Sequence, residues 1–279
     1  MNTQHGEHGE IPQVVTFRST DGVQIGCYRS GFGPALVAVH GAAADHTAWE
    51  RVTPLLSRNF TVYAMDRRGR GASGDASEYS LEREFADVAA VVEGIGQPVH
   101  LYGHSFGGAC ALEAATRVAM GTLASLTLYE GGVKPPGIRI IPDELIVRLE
   151  TLIGDGQQEE ALELFLLKAA GLTPPELEVY RRSPSWAARM ATLHTIPREL
   201  RATNEYETDP GRFKSLTAPT LFLVGGKTDA RRREMFLALS SVLPRSQVRE
   251  LPGQGHTAHE TAPELLANVL TEFLGAVSG

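Results

Sequence analysis

Short apolar runs alternate with longer amphipathic stretches along most of the chain, and this alternation restricts the fold more than any other feature. The runs fall at 14–19, 23–29, 35–39, 60–65, 98–102, 124–129, 219–224 and 246–251. The first two alternate polar and apolar residues, as a strand with one open face does. Later ones, such as ALVAV at 35–39, are almost wholly apolar, which suits strands covered on both faces. Helical spacing separates them. Leu81, Phe85, Val88 and Val92 fall on one stripe, and the segment after Ser105 is rich in alanine. The last segment pairs Thr261 with Glu264 at capping-box spacing around Pro263, then carries Leu266, Val269, Leu270 and Phe273 on one face. Strand–helix alternation of this kind predicts an α/β fold, with a mostly parallel sheet and helices on both faces.

One region interrupts the pattern. From Lys134 to Ala218 no convincing strand can be read, and prolines punctuate its entry (Pro135, Pro136) and its return (Pro219). Leu145, Ile146, Leu149 and Leu152, then Leu162, Phe165 and Leu166, have helical spacing, and Tyr180, Trp186 and Met190 follow. The expected organisation is a flexible N-terminal tail at 1–12, a core at 13–133 and 219–279, and a helical cap at 134–218.

With 42% hydrophobic residues in 279, the chain can bury a sizeable core. The net charge of -7 and the scatter of basic residues exclude a concentrated nucleic-acid footprint. The run Arg231, Arg232, Arg233 reads as a solvated helix start. No stretch reaches the ~18 apolar residues of a membrane span, and the polar N-terminus has no secretory h-region. His5 and His8 lie in that tail, in a context too weak for a metal site. Cys27 and Cys110 read as free buried thiols of a reducing compartment. The expected setting is cytoplasmic, with a small molecule as partner and a monomer or homodimer as the assembly.

Four local signals carry the candidate chemistry. Gly103-His104-Ser105-Phe106-Gly107 follows an apolar run and opens a helix. A serine on that sharp turn is held in strained backbone, its glycines allow close packing, and the helix N-terminus presents the Phe106 N–H to a developing oxyanion. His40-Gly41-Ala42 follows ALVAV, where a second N–H donor is needed, and Ala42 is the candidate; His40 reads as a ring that shapes the loop. Gly255-His256 lies on a loop at the same sheet edge, with His259 as the rival base and the neighbouring glycines favouring His256. Asp229, just after 219–224, is the candidate acid that orients the base; the rival is Glu130, at the end of 124–129. No helical His pair, C-x-x-C pair or Walker loop competes, so neither a metal nor an organic cofactor is expected.

These motifs in this order (HGAAAD at 40–45, DRRGRGASG at 66–74, GHSFGG at 103–108, LFLVGGKTD at 221–229 and GQGHTAHETAPELL at 253–266) resemble the α/β-hydrolase superfamily. The likeness is to its lid-bearing bacterial esterase, haloperoxidase-like and meta-cleavage-product-hydrolase-like group, and it runs from about residue 14 to the C-terminus. It implies an eight-stranded mostly parallel sheet with an antiparallel second strand, and a helical cap between strands six and seven. It also implies a structural role for Asp66 and the arginines of 66–74. A serine at 105 departs from the aspartate nucleophile of dehalogenase and epoxide hydrolase branches. His40-Gly41-Ala42 departs from the triple-glycine turn of the hormone-sensitive-lipase-like branch. The expectation is a serine hydrolase acting on an ester of a small, largely apolar substrate, with Ser105, His256 and Asp229 as triad and Ala42 and Phe106 as oxyanion donors. A lactone or carbon–carbon bond hydrolase, and a non-catalytic receptor, are the alternatives. Trp186, Met190, Phe165 and Leu166 are candidates to line the pocket or to pack the cap.

Overall fold

The structure is a computed structural model that describes residues 12–278. Almost all of the tail at 1–12, including His5 and His8, lies outside them. The eight strands are β1 (Gln13–Arg18), β2 (Gln24–Ser30), β3 (Ala35–Val39), β4 (Thr61–Met65), β5 (Val99–His104), β6 (Leu123–Tyr129), β7 (Thr220–Gly225) and β8 (Ser246–Leu251). They form one sheet in the order β1-β2-β4-β3-β5-β6-β7-β8. β2 pairs antiparallel with both β1 and β4, and every other pair is parallel.

The helices are α1 (Thr53–Leu56), α2 (Leu81–Gly94), α3 (Phe106–Ala115), α4 (Asp143–Gly154), α5 (Gln158–Phe165), α6 (Pro174–Arg181), α7 (Trp186–Ala191), α8 (Ile196–Glu205), α9 (Ala230–Val242), α10 (Ala258–Thr261) and α11 (Pro263–Ser278). The period-two geometry of a strand sends alternate residues to two separate cores. Val37 of β3, Met65 of β4 and Phe222 of β7 pack on the side of α2, α3 and α9. Their neighbours Leu36, Ala64 and Leu223 pack on the side of α1 and α11. Helices α4 to α8 lie between β6 and β7 and enclose a third core around Ile146, Leu149, Leu162 and Ile196.

One local expectation fails. Thr261 ends α10 instead of capping α11, because its hydroxyl is turned to Gln254 Oε1 at 2.8 Å. Asp66 and the arginines of 66–74 build loops. Asp66 accepts from the N–H groups of His46 (2.8 Å) and Ala72 (2.7 Å), and Arg68 forms a buried two-point pair with Asp87. Cys27 and Cys110 are both buried and unpaired. Among the described residues, no helix is long and apolar enough to cross a membrane.

Candidate active site

β5 runs two residues past its apolar stretch and delivers Ser105 directly onto the start of α3. Ser105 has φ 55°, a conformation that a residue with a Cβ adopts only when its surroundings hold it there. The flanking glycines make this possible. A Cβ on Gly107 would lie 2.4 Å from the carbonyl oxygens of Val39 and His40, and one on Gly103 would lie 2.5 Å from the Gly107 carbonyl. The elbow is thereby pressed against the turn that follows β3. Ala42 and Phe106 both border the same cavity as Ser105. Phe106 is the first residue of α3, so its N–H has no acceptor within the helix.

His40 shapes that turn, and its hydrogen bonds show how. Its Nε2 accepts the Arg67 N–H at 3.2 Å, which leaves Nδ1–H to donate to the Gly41 carbonyl at 2.8 Å. That carbonyl shares a peptide plane with the Ala42 N–H. Fixing one therefore fixes the other in the opposite direction. Burial, followed by the neighbouring Arg67, holds the His40 ring well below the ordinary imidazole range, consistent with a neutral tautomer.

His256 stands on the loop after β8, with Nε2 2.9 Å from Ser105 Oγ. Its Nδ1 is 2.8 Å from Glu130 Oε2. Asp229, the acid expected from the sequence, is not at this site. Its side chain is 60% exposed, and Oδ1 accepts the Arg232 N–H at 3.0 Å as the N-cap of α9. Glu130 leaves the end of β6 with φ 44°, which bends its side chain toward His256. Oε1 accepts the Gly225 N–H at 2.9 Å and the Thr228 hydroxyl. The loop after β7 thus contributes to the site, but through Gly225 and Thr228. Burial raises the Glu130 carboxyl, yet the hydrogen bond and charge of His256, with Thr228 and Gly225, outweigh it and hold the group at about 2. With Glu130 ionised, Nδ1 must be the donor, so Nε2 is free to accept the Ser105 proton.

Two residues that sequence reasoning passed over hold the histidine loop. His104 Nε2–H donates to the His256 carbonyl at 2.8 Å, and the Tyr129 hydroxyl donates to the Gly255 carbonyl. Tyr129 in turn accepts the Ala258 N–H at 3.0 Å. Their signal lay in position: His104 precedes Ser105 and Tyr129 precedes Glu130. His259, the rival base, is buried against His104 and meets the Tyr180 hydroxyl at 3.1 Å, whereas it is His256 that meets Ser105 Oγ.

The cavity over Ser105 measures about 200 Å³ and is mainly apolar, with Phe85, Val133, Ile141, Phe165, Leu166 and Leu200 among its walls. Trp186 and Met190 pack against the cap core instead. Three basic side chains border the cavity, and each has a partner. Lys134 meets Glu207 at 2.6 Å, Arg232 donates to the carbonyls of Ala169 and Ala170, and Arg189 donates to the Ala43 carbonyl.

The profile of the Alpha/beta hydrolase family matches residues 36–269. The chain belongs to that family. The motifs at 40–45, 66–74, 103–108, 221–229 and 253–266 and the eight-stranded sheet are therefore those of the alpha/beta hydrolase family. A solved alpha/beta hydrolase from Sphaerobacter thermophilus is 32% identical, with a TM-score of 0.77 over 94% of this chain and 99% of that one. An N-formylmaleamate deformylase of Pseudomonas putida is 27% identical over 81% of this chain and 83% of its own length. A pimeloyl-(acyl-carrier protein) methyl ester esterase of Methylococcus capsulatus is 35% identical, but the aligned part spans 54% of this chain and only 59% of that esterase.

Proposed function

We propose that this hydrolase cleaves carboxylic esters of small, largely apolar substrates through an acyl-enzyme on Ser105. The observation that carries the reading is the continuous chain from Ser105 Oγ to His256 (2.9 Å) and from His256 to Glu130 (2.8 Å). In the first half-reaction His256 Nε2 takes the Ser105 proton while Oγ adds to the substrate carbonyl. Glu130 keeps the proton on Nδ1 and stabilises the imidazolium that forms. The N–H groups of Ala42 and Phe106 receive the oxyanion, each donor of this kind being worth about 2.7–4 kcal/mol. His256 then gives its proton to the departing alkoxide. Water repeats the sequence and releases the acid. The apolar walls favour an acyl or aryl group without charge. The esterase and the deformylase among the relatives support an ester or a related acyl bond as the scissile one.

The test is labelling with a fluorophosphonate probe and turnover of p-nitrophenyl esters, acetate to octanoate, by wild type and Ser105→Ala. Wild type should label and turn over. Ser105→Ala should not label and should lose on the order of 10⁴ or more in kcat with its melting temperature retained. A folded wild type that neither labels nor hydrolyses any ester refutes the reading and leaves small-molecule binding as the activity to search for.

A further inference from the structure

Among the described residues, three that are not glycine adopt positive φ: Ala43 at 48°, Ser105 at 55° and Glu130 at 44°. Ser105 and Glu130 belong to the triad just proposed. Ala43 has no chemistry of its own, yet it follows Ala42, the oxyanion donor of that reading. Its strain is held from the cap. The Ala43 side chain is fully buried in the cap core with Leu162 and Ile196, although the residue belongs to the body. Arg189 of α7 donates from Nη1 to the Ala43 carbonyl at 3.1 Å. The next carbonyl, of Ala44, is 3.4 Å from Arg70 Nη1. Arg70 also donates to the hydroxyl of Thr195 at 2.9 Å and is paired with Glu199, both on the cap side.

We propose that the cap sets the oxyanion turn, with Arg189 as the positioning residue that reaches it. The span concerned is short. Gly41 is fixed from behind by His40 at its carbonyl, and Asp45 is fixed by capping the turn at Thr47 N (2.9 Å). Only Ala42, Ala43 and Ala44 lie between these anchors. If Ala43 relaxes to negative φ, the change must be absorbed by its two neighbours, and on the Ala42 side it works against the single His40–Gly41 hydrogen bond that holds the donor's peptide plane. Arg189 is built for this position. Its guanidinium lies 4.2 Å over the Tyr180 ring, Nε donates to Ser185 Oγ at 3.3 Å, and Nη2 faces Glu260 Oε1 at 3.5 Å. Glu260 lies in α10, just after the His256 loop, and accepts from Ser183 and Ser185 of the cap, each at 3.1 Å. One buried cluster therefore joins the cap, the oxyanion turn and the helix that follows the base. A seated cap completes the hole, so chemistry waits on cap docking.

This inference rests on the serine-hydrolase reading, and the test separates the two. Arg189→Met keeps the stem and removes the guanidinium. Arg198→Gln breaks an exposed cap–body pair with Asp75 and touches nothing in the turn, so it serves as the control. The readouts are kcat and KM on neutral p-nitrophenyl butyrate, the fluorophosphonate inactivation rate, and hydrogen–deuterium exchange of the peptide covering 40–46. In Arg189→Met, kcat and the inactivation rate should fall together by about ten-fold or more, since a displaced donor is a transition-state loss. KM should stay within about two-fold, because ground-state binding does not use the hole. Exchange at 40–46 should quicken, Arg189→Lys should recover part of each change, and Arg198→Gln should match wild type. Should Arg189→Met not fold, Ser185→Ala removes one support of the guanidinium and should move kcat and exchange in the same direction. Unchanged kcat and exchange overturns the proposal. So does an equal loss in Arg198→Gln, or a rise in KM confined to esters that carry a carboxylate. A wild type without turnover or labelling refutes the hydrolase reading instead, and the exchange comparison still decides this one.

Discussion

Replacing Glu130 by glutamine exchanges one oxygen for an amino group, and the surrounding donors dictate which. Gly225 N–H and the Thr228 hydroxyl both donate to Oε1, so the amide oxygen must remain there. The amino group is then placed where Oε2 stood, 2.8 Å from His256 Nδ1. Two donors cannot face each other, so Nδ1 must give up its proton and the ring must carry it on Nε2. That nitrogen, 2.9 Å from Ser105 Oγ, now donates to the nucleophile and cannot receive its proton. Flipping the amide to save the tautomer would turn its amino group on two donors and leave both unsatisfied in a buried site, at about 1–3 kcal/mol each. A wrong tautomer in a triad of this kind lowers kcat by about 10³–10⁴, or about 4–5.5 kcal/mol of transition-state stabilisation. Asp229→Asn is the matched comparison. Asparagine caps a helix as well as aspartate does, and the position is exposed, so kcat should stay within about two-fold of wild type and stability within about 0.5 kcal/mol. Steady-state turnover of p-nitrophenyl acetate by both variants, with circular dichroism to verify folding, decides the matter. Glu130→Gln retaining more than about a tenth of wild-type kcat would refute the tautomer argument. A large loss in Asp229→Asn would restore the acid that the sequence suggested.

Three further outcomes concern stability. His40, His104 and His259 are fully buried, and burial pushes each well below the ordinary value of 6.5, so the folded protein keeps them neutral while the unfolded chain takes up protons below that value. Stability should fall as pH drops below 6.5, by up to about 2 kcal/mol per histidine at pH 5, and urea midpoints that are flat between pH 7.5 and 5 would contradict this. Glu130 is shifted in the same direction but has a lower window: its contribution is present above the ordinary 4.5 and is lost as pH falls toward about 2, a limb that Glu130→Gln should flatten. Glu199 is buried between Arg67 (2.9 Å) and Arg70. Glu199→Ala leaves Arg70 without a carboxylate and Arg67 with only Glu84, at 3.5 Å, and should destabilise by about 3–5 kcal/mol, lowering the melting temperature by on the order of 10 °C in calorimetry; a change of under about 1 kcal/mol would mean the pair is solvated in solution.

Much of this architecture can be read from residue order, and the acid shows where such reading stops. Short runs located all eight strands; where both faces are buried the local mark is plainest, as in Ala35–Val39, while β1 and β8 are more exposed and β1 shows alternation instead. The elbow was legible because its glycines stand at fixed spacing around the serine between an apolar run and a helix, although the contact that demands Gly107, with Val39 and His40, is distant in sequence. The acid is a choice between two carboxylates at neighbouring strand ends, Glu130 after β6 and Asp229 after β7, and spacing along the chain does not show which bends inward. Two local marks did bear on it. Asp229 stands immediately before a helical run, the position of an N-cap, and that is the bond it makes. Glu130 is followed by Gly131 and Gly132, which let the chain leave β6 at φ 44° and pass the elbow; a Cβ on Gly131 would lie 2.6 Å from the Ser105 carbonyl. The cap contacts left no such mark. Arg67 finds Glu199 across 132 residues, and Arg189 finds Ala43 across 146. Those pairings exist only once the cap is seated on the sheet, so a residue whose role is to join the two bodies is invisible until both are in place. The strain at Ala43 has the same origin. Nothing in the sequence His40-Gly41-Ala42-Ala43 requires positive φ at its last residue; the cap core that buries the methyl group and the guanidinium that takes the carbonyl require it together.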